Sequence, residues 1–87
     1  MNHPAPAPPL ADRLVAAGLR LTAPRRAVLA VLEAAPDHLT AAEVWRKARA
    51  RCPDLGRATV YRTLETLVRL GVLRPLYLGD GLDLRYA

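Results

Sequence analysis

Cysteine is almost absent from this 87-residue chain, in which Cys52 is the only example. A single thiol excludes an intramolecular disulfide, a CxxC pair and a cysteine-based zinc site. Cys52 lies directly before Pro53, near a predicted helix end, and this position favours a structural role as a small apolar residue over a redox role. Long apolar runs and a secretory signal pattern are also missing, so the sequence predicts no membrane span and a cytoplasmic protein.

The residue groupings that carry catalysis are missing as well. The sequence has no nucleophile paired with a base, no paired carboxylates and no glycine-rich phosphate loop. Gly79-Asp80-Gly81 is better explained as the turn of a hairpin. We therefore predict that the chain is not an enzyme.

Lysine is nearly absent too, since Lys47 is the only lysine among 13 basic residues and the others are arginine. The formal net charge is +5 and the pI is about 10.4. The planar fork of arginine pairs with phosphate or guanine, so this excess indicates a polyanionic partner. A GC-rich coding sequence would also favour arginine, so the positions of these residues matter more than their number.

Proline divides the chain into two parts. Four of the eight prolines fall within the first nine residues, which contain no large apolar residue apart from Met1. This composition predicts a disordered or polyproline-like tail over residues 1–9. Residues 10–87 form one predicted domain, with a modest core of leucine, valine and alanine.

Two helices are predicted in the first part of this domain. The first begins after Pro9 and ends at Gly18, a suitable left-handed residue after a helix. The second has Thr22 as its N-cap and ends before Pro36. Its apolar residues recur at helical spacing and are expected to be buried: Val28, Val31, Leu32 and Ala35.

The third helix has the clearest start signal. Thr40-Ala41-Ala42-Glu43 is a capping box, with Leu39 and Val44 as the hydrophobic pair across it. Its predicted buried stripe consists of Ala41, Val44, Trp45, Ala48 and Cys52. Its basic residues favour a solvated face over direct contact with nucleic acid: Arg46, Lys47, Arg49 and Arg51.

The fourth helix, predicted from Arg57 to Leu70 and closed by Gly71, has two contrasting sides. One side is an apolar stripe that faces a core: Val60, Leu64, Leu67, Val68 and Gly71. The other side presents groups able to donate to phosphates or base edges, with Tyr61 bordering both sides: Arg57, Thr59, Arg62, Thr63 and Thr66. Taken alone, this pattern is more typical of an ordinary solvated surface helix, so its function has to be inferred from the neighbouring elements.

After Gly71 the apolar period changes from about 3.6 to 2, which predicts two strands joined by the glycine-rich turn. Pro75 lacks a backbone donor, so its strand should lie at an edge or be paired on one side only. Three helices, a recognition-like fourth helix and a two-stranded antiparallel hairpin predict a mainly α winged helix-turn-helix. In such folds the second helix of the motif enters the major groove of DNA.

Four segments resemble the ferric uptake regulator family over roughly Gly18 to Tyr86. They are Gly18-Leu19-Arg20-Leu21-Thr22, Arg25-Arg26, His38-Leu39-Thr40-Ala41 and Ala58-Thr59-Val60-Tyr61-Arg62-Thr63-Leu64. The resemblance implies a metal- or peroxide-responsive bacterial transcription factor, usually a repressor, that binds AT-rich palindromic double-stranded DNA operators as a homodimer.

The resemblance also implies roles for individual residues. Tyr61 matches a tyrosine that packs on thymine methyl groups, and Arg62 matches an arginine that reaches a base or phosphate. Arg20 matches a basic residue that enters the narrow minor groove of A-tracts. A buried Tyr61 and solvated Arg62 and Arg20 are the plainer alternatives. The expected DNA-contact set is Arg20, Thr22, Arg25, Arg26, Arg57, Thr59, Tyr61, Arg62 and Thr63.

Metal sensing is expected to need residues beyond this chain. His38 matches a family position that often donates one metal ligand, but a lone histidine before an N-cap does not make a metal site. Family members continue into a dimerisation domain rich in metal ligands, and Ala87 stands where a ligating glutamate is common. The resemblance implies iron, zinc or manganese for a full-length member and no cofactor within this chain, which would be a monomeric DNA-binding fragment or a stand-alone remnant.

Two other functions fit the same sequence. A winged helix can serve as a protein-interaction module, here with an apolar hairpin face of Leu82, Leu84 and Tyr86. The chain could also be one half of a regulator that binds DNA only nonspecifically until a dimerisation domain is present. Salt dependence separates the first alternative from DNA binding, because contacts with phosphate weaken steeply as salt rises.

Overall fold

Four helices and three strands are found in the computed structural model, which describes residues 10–34, 39–78 and 81–86, with only the backbone of 76–78 and 81–86. In chain order the elements are α1 Leu10–Ala16, α2 Ala23–Ala34, β1 Leu39–Thr40, α3 Ala41–Ala48, α4 Arg57–Arg69, β2 Leu73–Leu78 and β3 Gly81–Tyr86. The predicted mainly α winged helix is confirmed. Other predictions fall on residues outside these ranges: the tail 1–9, Ala35, Pro36, His38 and the turn residues Gly79 and Asp80.

The helix ends follow their predicted capping residues. Gly18 and Gly71 have φ of 89° and 77°, the left-handed conformation that glycine adopts without a steric penalty. Thr22 caps the start of α2, because its Oγ1 accepts a hydrogen bond from the backbone N–H of Arg25 at 3.4 Å. A glutamate of α2 also holds the start of α1, since the N–H of Leu10 donates to Oε1 of Glu33 at 3.1 Å.

The capping box of α3 is complete. The N–H of Glu43 donates to Oγ1 of Thr40 at 3.1 Å, and the N–H of Thr40 donates to Oε1 of Glu43 at 3.2 Å. These bonds from Thr40 lower the pKa of Glu43 below its ordinary value, because they favour the charged carboxylate. The helix ends at Ala48, so Cys52, expected on its buried stripe, lies in the following turn.

The wing differs from the predicted two-stranded hairpin, because β1 adds a third strand and the order is β1-β3-β2. Leu39 pairs with Leu84 in an antiparallel register. A strand of two residues is too short to show an alternating pattern, and its second residue is also the N-cap of α3. Pro75 lies on the edge strand β2, as its missing N–H predicted.

The core gathers residues from all four helices and from β2. Its largest fully buried side chains are Leu10, Leu14, Val28, Val44, Val60, Leu67 and Leu73. The predicted apolar stripe of α4 is correct for Val60, Leu64 and Leu67, while Val68 is partly buried. Gly71 is exposed, contrary to expectation, because it terminates the helix. Over the described ranges, no helix has the length and apolar character needed to cross a membrane.

Candidate nucleic-acid interface

A basic groove of about 560 Å³ lies between the start of α2 and the exposed side of α4. It is lined by arginines, threonines and one glutamate: Arg20, Thr22, Arg25, Thr59, Arg62, Thr63, Glu65, Thr66 and Arg69. Six residues of the predicted DNA-contact set therefore come together here. The other three, Arg26, Arg57 and Tyr61, are not part of the lining.

The α2 side of the groove is fixed by backbone interactions. Nη1 of Arg25 donates to the carbonyl oxygen of Arg20 at 2.6 Å, which ties the segment before α2 to the helix itself. The neighbouring Thr22 is held by its role as N-cap. Arg20 is exposed beside these fixed residues, so its side chain is free to extend toward a ligand. Arg26 is exposed on α2, outside the groove.

The α4 side presents Arg62, Thr66 and Arg69, which share one side of the helix because they follow the i, i+4, i+7 spacing. Nε of Arg62 donates to the carbonyl oxygen of Ala58 at 3.3 Å. This bond uses one N–H of the guanidinium and leaves its terminal nitrogens for a ligand. Arg69 was missed in the sequence, although its spacing from Arg62 was sufficient to find it.

Thr63 was predicted on the exposed side of α4, and that prediction is wrong. It lies on the floor of the groove, where it is only 4% exposed. Its hydroxyl donates to the carbonyl oxygen of Thr59 at 2.8 Å. The hydroxyl of Thr66 donates in the same way to the carbonyl oxygen of Arg62 at 2.9 Å. Phosphate oxygens accept hydrogen bonds, so neither hydroxyl can donate to phosphate while these bonds persist.

Tyr61 is 44% exposed on α4, which excludes the alternative that it is a core aromatic. The neighbouring Arg57 begins the helix, and its guanidinium carbon lies 4.4 Å from the ring centroid of Trp45. That arginine therefore packs on an aromatic ring of α3 instead of reaching into the groove. No sequence pattern predicts this contact, because the two residues lie on different helices.

The charge of the groove is positive overall, with four arginines against Glu65. A concave surface lined mainly by one sign of charge concentrates counter-ions of the opposite sign.

The described residues contain no candidate metal site. Among them, no three histidine, cysteine, aspartate or glutamate side chains come together. This part of the chain therefore does not fit a regulatory metal, and His38 lies outside it.

Known proteins resemble this chain over most of its length. The model of the ferric uptake regulator family matches residues 16–86. The ferric uptake regulation protein of Bacillus subtilis (strain 168) is 42% identical over 72 residues, which cover 82% of this chain and 48% of that protein. The chain spans about half the length of the curated relatives it matches.

Solved structures show the same similarity. A manganese uptake regulator has a TM-score of 0.85 at 26% identity, covering 93% of this chain and 60% of that one. The ferric uptake regulator from Pseudomonas aeruginosa with manganese has a TM-score of 0.75 at 32% identity, covering 88% of this chain and 59% of that one. The residues matched by the family model, 16–86, include the groove and α4.

Proposed function

The chain belongs to the ferric uptake regulator family, and from that premise we propose that it is a sequence-specific DNA-binding domain of a metal-responsive bacterial transcription regulator. The observation that carries this proposal is the groove of four arginines beside the exposed Tyr61 of α4. DNA can bind both the arginines and Tyr61, since its phosphates pair with arginine and its thymine methyl groups pack on aromatic rings.

In this proposal α4 lies in the major groove and reads bases through Tyr61 and Arg62. Both side chains are exposed on the helix, and the free terminal nitrogens of Arg62 can donate to a guanine edge or to a phosphate. Thr59, Arg25 and Arg69 line the wall beside them and contact the DNA backbone. Arg20, exposed before α2, extends toward the adjacent minor groove.

Thr63 has no contact with DNA in this proposal, because it is buried and its hydroxyl is used within α4. Arg26 is exposed next to the groove and contributes long-range attraction to phosphate. Glu65 lies among the arginines and opposes phosphate, so it favours an approach in which a base amino group faces it.

The wider function follows from family membership. We propose that the regulator is a cytoplasmic repressor that binds an AT-rich palindromic operator as a homodimer, while this chain alone is a monomer. A palindrome presents two half-sites, so a monomer would occupy each half independently and weakly. The described residues do not fit a metal, so metal sensing is not assigned to them and no catalytic step is proposed.

Fluorescence anisotropy tests the proposal with an AT-rich palindromic duplex and a scrambled duplex, at two salt concentrations, with and without a divalent metal. We expect tighter binding to the palindrome, weaker binding at higher salt and no response to the metal. The Tyr61→Ala variant should lose about 1 to 3 kcal/mol on the palindrome and less on the scrambled duplex. Equal losses on both duplexes would contradict base reading by Tyr61.

Arg25→Ala is the matched control for Tyr61→Ala, because backbone contacts carry no sequence information. It should weaken binding to both duplexes about equally. Failure to bind either duplex, together with salt-insensitive binding of a protein partner through an apolar surface, would instead support a protein-interaction module. That alternative depends on the hairpin residues Leu82, Leu84 and Tyr86, for which the structure describes only the backbone.

A further inference from the structure

Trp45, the only tryptophan of the chain, contacts two arginines, Arg49 at the end of its own helix and Arg57 at the start of α4. The guanidinium carbon of Arg57 is 4.4 Å from the ring centroid and that of Arg49 is 4.7 Å from it. Both distances fall within the range of about 6 Å for a cation–π interaction. We call Trp45, Arg49 and Arg57 the tryptophan cluster.

The ring of Trp45 is itself held in place. Its Nε1–H donates to the carbonyl oxygen of Leu55 at 3.0 Å, in the turn that leads into α4. The ring is half-buried, whereas Arg49 and Arg57 are exposed. The ring therefore orders two long side chains before any ligand binds, which lowers the entropy lost when they contact one.

Each guanidinium keeps its full positive charge while it packs on the ring, and that charge attracts an anion. Arginine also retains its N–H donors while it stacks, because stacking uses the face of the guanidinium and hydrogen bonds use its edge. The cluster thus presents N–H donors and two positive charges on side chains that the ring orders. A phosphodiester group has the matching chemistry.

The position of Arg57 on α4 relates the tryptophan cluster to the groove. At about 100° per residue, Thr66 in the groove lies on the opposite side of the helix from Arg57, while Tyr61 lies only about 40° from Arg57. The exposed face that carries Tyr61 is therefore flanked by the tryptophan cluster on one side and by the groove on the other.

The major groove of B-DNA is about 12 Å wide, close to the diameter of an α-helix, and has a phosphate backbone along each wall. Resting on the proposed function, we propose that the tryptophan cluster is a second phosphate-binding site. It contacts the DNA strand opposite the one that the groove contacts, and Trp45 is the positioning residue that orients Arg49 and Arg57. The sequence had favoured a solvated role for Arg49.

Salt dependence of DNA affinity tests this proposal with the full chain and the AT-rich palindromic duplex. Each phosphate contact contributes about 0.9 to the log–log slope. Arg49→Ala and Arg57→Ala should each lower the slope by about 0.9, so a fourfold rise in salt costs each variant about 3.5-fold less affinity than it costs the wild type. Arg51→Ala is the matched control, because Arg51 lies beside Ala30 and Ala34 of α2. Its slope should equal that of the wild type.

Trp45 variants test the positioning role. Trp45→Phe keeps an aromatic ring and should retain the wild-type slope, whereas Trp45→Leu should lower it toward that of the Arg49→Ala/Arg57→Ala double variant. The emission of Trp45 supplies a second readout, which is compared between the wild type and the double variant after thermal unfolding confirms that the double variant is folded. It should change as the duplex saturates the protein, and the change should disappear in the double variant.

The outcomes separate this proposal from the proposed function. Wild-type slopes in Arg49→Ala and Arg57→Ala, with unchanged Trp45 emission, would overturn the second site while Arg62→Ala still weakens binding. Lower slopes in those two variants with a wild-type slope in folded Trp45→Leu would overturn the role of the ring. Failure of the wild type to bind DNA at all would overturn both the second site and the proposed function.

Discussion

Replacing Thr63 with valine distinguishes a residue that supports the groove from a residue that contacts DNA. Thr63 lines the groove but is only 4% exposed, and its hydroxyl donates to the carbonyl oxygen of Thr59 at 2.8 Å. Valine has nearly the same shape as threonine. The substitution therefore removes one hydroxyl from the floor of the groove and leaves the arginines around it in place.

The expected effect on stability is small. Loss of the hydroxyl removes a hydrogen bond worth about 0.5 to 1.5 kcal/mol. The carbonyl of Thr59 is not left unpaired, because the α-helix pairs it with the N–H of Thr63. The added methyl group returns about 0.8 kcal/mol through burial. These opposing terms place the change in unfolding free energy within about 1 kcal/mol of zero.

DNA affinity should also change little, in contrast to Arg62→Ala. We expect Thr63→Val to alter the dissociation constant for the palindromic duplex less than twofold. Removal of Arg62 should cost about 1 to 3 kcal/mol, which is roughly a 5-fold to 150-fold loss of affinity. Anisotropy gives the affinities, and thermal unfolding confirms that both variants are folded. A loss in folded Thr63→Val as large as that in Arg62→Ala would refute the assignment of Thr63 to the floor.

Three further predictions concern stability. Glu43→Gln should remove the acid-sensitive stabilisation that Glu43 contributes. Because the fold lowers the pKa of Glu43, its carboxylate stabilises the fold fully at pH values above the ordinary pKa of 4.5. This contribution is lost as pH falls through the lower pKa of the folded state. A melting-temperature difference from wild type that stays the same from neutral pH to well below 4.5 would contradict this. Leu67→Ala should destabilise by about 2 to 5 kcal/mol in denaturant titrations because Leu67 is fully buried, and a loss below about 1 kcal/mol would conflict with that burial. Gly71→Ala should cost about 1 kcal/mol from its positive φ alone, since a Cβ there meets no atom of the described residues, and Gly71→Asn should cost less. Equal losses for the two variants would contradict a purely backbone origin.

The helix boundaries were predictable because local chemistry determines them. The capping box at Thr40 and Glu43 involves residues three apart, and Gly18 and Gly71 end helices through their own backbone conformation. No knowledge of the rest of the fold is needed to recognise such signals. The edge position of β2 was predictable for the same reason, because Pro75 lacks a backbone donor.

The features that were missed depend on contacts between distant segments. Leu39 forms a strand only because β3 pairs with it, and two residues carry no period of their own. Thr63 lies at the border of the apolar stripe of α4, so its burial depends on how closely neighbouring elements approach. The packing of Arg57 on Trp45 also joins two helices whose relative positions the sequence does not specify.

The candidate site was predicted in part for the same reasons. Arg20, Arg25 and Arg62 were identified by residue type and by resemblance, and the fold brings them to one groove. Glu65 and Arg69 were not predicted, because they lie in the second half of α4, beyond the segment that carries the family resemblance. The lining of a groove depends on which helix lies opposite, and that helix is α2.

Mapping of amide chemical shifts during titration with the palindromic duplex tests most directly whether α4 and the groove bind DNA. We expect the largest changes at residues 57–66 of α4 and at residues 20–25 before and within α2. Residues 30–34, on the far half of α2, should change little. Changes concentrated at residues 30–34, or no changes with a saturating duplex, would contradict the central claim.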